Sequence, residues 1–179
     1  MKGRFLTAAL MSAILGLSYI VPAGSGSAQD KTGANLPFMP DIRLSDGSGI
    51  PFNLSRYRGS VIVLEFWSNT CGPCFKDLDA LNHLQGDFPG KPLMVIAVNE
   101  DPGNIRTVKA ALDRQKLTYL KPFGDPNGEA AQTLNLRGLP TSFVIDRQGR
   151  VMVQVEGPQP WNGADTEKRI NFLLFQPAE

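Results

Sequence analysis

The chain has 179 residues, 42% of them apolar and 20% charged, with 18 Lys and Arg against 17 Asp and Glu and a formal net charge of +1. That balance can bury a core, and it excludes a disordered polymer, a collagen repeat or a coiled coil. The near-neutral charge gives no footing for nucleic acid or an anionic membrane surface.

Lys2 and Arg4 precede a mostly apolar run at residues 5–21, followed by Pro22 and small residues up to Ala28. This is the layout of a secretory signal, with cleavage expected after Ala28 and retention of residues 5–21 as an inner-membrane anchor as the alternative. Residues 29–40 are polar and turn-forming, and are expected to form a flexible tether to a single domain at 41–176.

Within that domain, Ile42 and Leu44 before Asp46-Gly47-Ser48-Gly49, with Ile50 and Phe52 after it, predict a small hairpin. Residues 61–67 are apolar on both faces except at Glu65, the pattern of a central strand covered by helices. A helix is expected over 71–84, with Leu78, Leu81, Phe75 and Leu84 turned inward. Residues 93–98 predict a second buried strand, 104–115 a helix, 122–128 a loop and 129–134 a short helix. An antiparallel hairpin is expected at 142–145 and 151–155, and a last helix at 166–175. The order predicts an α/β fold in three layers: a central mixed β-sheet with helices on both faces and an N-terminal β-hairpin extension.

The two cysteines, Cys71 and Cys74, enclose Gly72-Pro73 at a strand-to-helix junction. Unpaired backbone N–H groups and the positive end of the helix dipole favour thiolate there, so the Cys71 pKa is expected to lie below the free value, at about 3.5–7.5. Cys74, one turn on, can close a disulfide with it. Pro73 sits where a missing N–H costs little. A purely structural bridge is the weaker alternative, because so short a loop barely constrains the unfolded chain. With His83 the only histidine, too few ligands remain for a closed zinc shell, and haem attachment fails because Phe75 follows Cys74. His83 is expected to be a surface or half-buried helix residue.

Three stretches carry a family resemblance: Leu54-Ser55-Arg56-Tyr57-Arg58-Gly59, Glu65 through Cys74, and Arg137-Gly138-Leu139-Pro140-Thr141-Ser142-Phe143. From about Pro40 to Phe175 the chain resembles the thioredoxin-like fold, and within it the exported thiol-disulfide oxidoreductases of the TlpA/ResA type. The resemblance implies catalysis by Cys71 and Cys74, with Glu65 as the buried acid that takes a proton from Cys74. A carboxylate neutralised by Arg or Lys, or reaching solvent, is the other reading of Glu65. The resemblance also makes Pro140 the cis-proline beside the cysteines and Leu139 a strand-like edge for substrate, with Trp67, Gly72 and Pro73 completing the substrate-binding set. Plain core packing is the alternative for Trp67. Three departures stand out: Thr70 in place of a tryptophan, Asp79 in place of a helix-kinking proline, and Ala97 in place of a lysine, so that Glu65 is expected to titrate higher or act alone.

The implied activity is a protein-disulfide reductase in the periplasm, needing no cofactor and no metal and acting as a monomer. Its clients are disulfide-bearing proteins, such as apocytochrome c in cytochrome c maturation or copper-site proteins in oxidase assembly, and it is recharged by a membrane-embedded thiol electron donor. The Gly-Pro dipeptide favours reduction, because thioredoxin lies about 150 mV below DsbA. Two rivals are a thiol peroxidase of peroxiredoxin type, for which Ser68 replaces the usual Thr, and a Cu(I)-binding chaperone using both thiolates.

Overall fold

The computed structural model describes residues 36–103 and 105–177. The expected export segment and most of the expected tether lie outside the described residues. The end of that tether is not free, however: Met39 donates its N–H to the Gly149 carbonyl at 2.8 Å, and Val151 donates to Pro37 at 2.8 Å. The ordered fold thus begins before the expected boundary at residue 41.

β1 (Arg43–Ser45) and β2 (Pro51–Asn53) form the predicted antiparallel hairpin. Ile42, Leu44 and Phe52 are buried beneath it, while Ile50 at its turn is exposed. A 3-10 turn at Leu54–Tyr57 leads into β3 (Val61–Trp67), whose seven residues are all buried. The reason is its position: β3 pairs in parallel with β4 (Leu93–Asn99) and antiparallel with β6 (Thr141–Ile145), so neither edge meets water.

The full order is β2-β1-β5-β4-β3-β6-β7, with β7 at Val151–Glu156. β5 (Phe123–Gly124) corrects the expected loop at 122–128. Two residues between prolines show no periodicity, yet they bond β4 on one side and β1 on the other, and so join the hairpin to the sheet.

Alternation along β3 separates two cores. Val61, Val63 and Trp67 pack with α1 (Cys74–Asp87), α2 (Ile105–Arg114) and α4 (Ala164–Phe175). Ile62, Leu64 and Phe66 face the 3-10 turn, the hairpin and Ala130 of α3 (Glu129–Thr133). The sheet is therefore mixed, with helices on both faces, as expected. Among the described residues no helix is long and apolar enough to cross a membrane.

Candidate active site

α1 begins at Cys74 rather than at the expected position 71. Cys71 lies in the turn ahead of it, where the first bonds are i to i+3: Cys74 N–H to the Cys71 carbonyl at 3.2 Å and Lys76 N–H to Pro73 at 3.2 Å. Pro73 already has helical dihedrals, φ −59° and ψ −32°, so the ring starts the helix without losing a needed donor. Asp101 fixes the approach to this turn. Its Oδ2 accepts both the backbone N–H and the side-chain amide of Asn69, each at 2.7 Å, and Cys71 N–H donates to Ser68.

Cys71 and Cys74 are joined in a disulfide, with Cα atoms 5.4 Å apart. The two sulfur-bearing residues differ in access: Cys71 is half-buried and flanked by exposed Thr70, Gly72 and Pro73, whereas Cys74 is fully buried. The Leu139–Pro140 peptide is cis, with Leu139 half-buried and the Pro140 ring buried. Trp67 is corrected as a substrate-binding residue. Its side chain is fully buried and meets Phe75 edge-on at 5.9 Å, so it packs beneath the cysteine turn and offers no surface to a client. His83 is exposed on α1.

Glu65 points into the same core as Val63 and Trp67, with none of its surface exposed. Its Oε2 accepts the Ser142 hydroxyl at 3.1 Å and the Trp161 indole N–H at 3.1 Å, while Oε1 is buried with no hydrogen-bond partner among the described residues. Burial, reinforced by the negative charge of Asp77, pushes its pKa up to about 8 against the two donors. Among the described residues no cation acts on it, and the residues opposite in the ladders are Ala97 and Ser142. That answers the alternative of an ion-paired or solvent-reaching carboxylate.

Of the two outcomes expected from Ala97, the pKa of Glu65 is raised, but the acid does not stand alone. Asp77, three residues after Cys74 on the buried face of α1, is raised mainly by its own burial, against hydrogen bonds from the Gln159 N–H at 3.0 Å and from Trp161. The i, i+3 spacing from Cys74 was a usable signal for Asp77. Nothing local pointed to Trp161, which arrives from the loop after β7.

The sequence profile of the AhpC/TSA family matches residues 38–154, well over half of the chain. The chain belongs to the AhpC/TSA family. Relatives similar to it include the thiol-disulfide oxidoreductase ResA of Bacillus thuringiensis subsp. konkukian, 31% identical over 120 residues, covering 67% of this chain and 68% of that protein. ResA of Geobacillus kaustophilus is 31% identical over 118 residues, covering 66% and 67%. Among solved structures, a Chlorobium tepidum chain provisionally named thiol:disulfide interchange protein DsbE is 32% identical, with a TM-score of 0.66 over 79% of this chain and 98% of that one. This AhpC/TSA member has the thioredoxin-like fold and is a thiol-disulfide oxidoreductase, with its cysteine pair at disulfide distance.

Proposed function

We propose that the protein is an exported reductase of specific protein disulfides, working through Cys71 and Cys74. The observation that carries this is the asymmetry of the pair: a disulfide at the start of α1 with one accessible and one sealed member.

In the reduced protein the Cys71 thiolate attacks one sulfur of a client disulfide. A Cys71–client bond forms, the client bond breaks, and the electron pair leaves on the second client sulfur. Glu65 then takes the proton of the Cys74 thiol, and the Cys74 thiolate attacks the Cys71 sulfur. The mixed disulfide breaks, and the first client sulfur departs with its electron pair. Two electrons have moved to the client, which takes up two protons, and the protein is left as the observed disulfide. A dithiol donor reverses the sequence.

Gly72 and Pro73 are exposed and Leu139 is half-buried, and in this reading they make the rim on which a client segment lies, with Pro140 shaping the backbone beside them. The Gly-Pro dipeptide supports the reducing direction. The leader expected at residues 1–28 supports action outside the cytoplasm, and the clients assigned there are cysteines of apocytochrome c or of a copper-site protein, with a membrane-embedded thiol donor.

Replacing Cys74 by Ser tests the reading. Resolution then fails, and disulfide-bearing clients should accumulate on Cys71 in the exported compartment. If nothing is trapped while the wild type consumes peroxide faster than it reduces insulin, the peroxidase reading replaces this one. A stoichiometric Cu(I) complex with little reductase activity would favour the chaperone.

A further inference from the structure

The segment between β7 and α4 makes three ties to the site. Gly157 N–H donates to the Pro140 carbonyl at 2.8 Å, Gln159 N–H donates to Asp77 Oδ2 at 3.0 Å, and the Trp161 indole N–H donates to Glu65 Oε2 at 3.1 Å. The segment is itself braced, with Trp161 N–H on the Gln159 carbonyl at 2.9 Å and the Thr166 hydroxyl on Pro160 at 3.1 Å. Trp161 is buried and lies outside residues 38–154, the part of the chain that carries the family match.

We propose that Trp161 is a positioning residue for the proton transfer at Cys74, its indole N–H holding the Glu65 carboxylate in place and setting how readily that carboxylate takes the proton. The inference rests on the role given above to Glu65. Two carboxyls meet in one buried site, and the indole N–H stabilises the charged form of both. Among the described residues it is one of two donors that reach Glu65, and Ser142 supplies the other. The proton balance is simple: Cys74 thiol and Glu65 carboxylate become Cys74 thiolate and Glu65 carboxylic acid.

The groups facing Glu65 are few. Among the described residues, β4 contributes Ala97, β6 contributes Ser142, and α1 contributes Asp77, whose charge acts on Glu65. From α4, Asp165 and Arg169 line a groove of about 220 Å³ that Trp161 shares, and neither figures among the influences on Glu65. Removing the indole N–H should therefore act on Glu65 alone or through Asp77.

The test uses the full chain in its reduced form, with two readouts: the NMR titration of the ¹³C-labelled Glu65 carboxyl, and the pH profile of single-turnover resolution by Cys74. Trp161→Phe should move both upward by roughly one pH unit, which is about tenfold in rate below the rising limb. Asp77→Asn removes the repulsion and should move both downward, a divergence that general loosening of the fold would not produce. In a Glu65→Gln background, Trp161→Phe should have no further effect on the profile. If Trp161→Phe does not fold, benzothienylalanine at 161 keeps the ring shape without the N–H and carries the same expectation. An unmoved Glu65 titration in the folded Trp161 variant overturns the inference whatever Glu65 does. A Glu65→Gln profile that keeps the wild-type limb instead overturns the role of Glu65, and this inference falls with it.

Discussion

Ser142 stands directly opposite Glu65 in the β3–β6 ladder and donates its hydroxyl to Glu65 Oε2 at 3.1 Å. The pairing register, not a loop, thus supplies one of the two donors to the buried acid. Ser142→Ala leaves the strand intact and removes a bond that matters most when Glu65 is charged. Its cost should be about 2 kcal/mol at pH 9 and smaller at pH 5, measured by urea unfolding at both values.

Glu65 also makes the stability of the fold pH-dependent. The folded protein keeps its proton up to about pH 8, whereas the unfolded chain releases it near the ordinary value of 4.5. Folding therefore takes up a proton between those values, and stability falls as pH rises through that window. Glu100, at the end of β4, is pushed up to about 8 by burial and by Asp125 and Asp101, and acts in the same sense. Glu65→Gln should flatten the slope by on the order of 1 kcal/mol per pH unit, leaving the remainder to Glu100. A variant whose unfolding free energy keeps the wild-type slope from pH 5 to 8 would count against the buried acid.

Alkylation should distinguish the two cysteines. In the reduced protein, Cys71 at the helix start is expected to react with iodoacetamide near neutrality at least several-fold faster than a cysteine in an unstructured peptide. Cys74, fully buried, should be modified only slowly. Mass spectrometry of the singly alkylated protein reads the ratio. Equal labelling of both sulfurs would contradict the asymmetry on which the proposed order of attack depends.

Asp41 gives a prediction far from the sulfurs. Its Oδ1 accepts the Ser55 N–H at 2.9 Å, and its Oδ2 accepts the Ser55 hydroxyl at 2.9 Å and the Asn53 amide at 3.1 Å, anchoring the 3-10 turn before β3. The backbone bond from Ser55 leads the influences holding its carboxyl below the usual range. Such a group contributes stability above its unfolded pKa and loses it as pH falls through the folded one. Asp41→Ala should cost about 1 kcal/mol at pH 7, with the difference from wild type shrinking toward pH 3 in thermal unfolding.

Most of this architecture is legible in the residues, because periodicity marks long elements. The run at 61–67, apolar but for Glu65, the 3.6-residue spacing of Val108, Ala111 and Leu112, and the turn between β6 and β7 each declare themselves. β5 does not, since two residues carry no period and are held by partners distant in sequence. The site divides along the same line. Cys71, Cys74 and Glu65 form one local string and can be read together, and Asp77 follows at helical spacing. Trp161 is 96 positions from Glu65, and only the closed fold brings its indole to that carboxylate. Trp67 shows the converse limit: a tryptophan near a reactive turn reads equally well as a contact or as core, and burial decides for core.

With Cys74 sealed inside, traffic to and from the solvent passes through a single doorway, the outer face of Cys71. The molecule that refuels the protein and the molecule it serves must queue for that one sulfur, each leaving before the other enters. Turnover should accordingly follow ping-pong kinetics, with parallel double-reciprocal lines when both are varied.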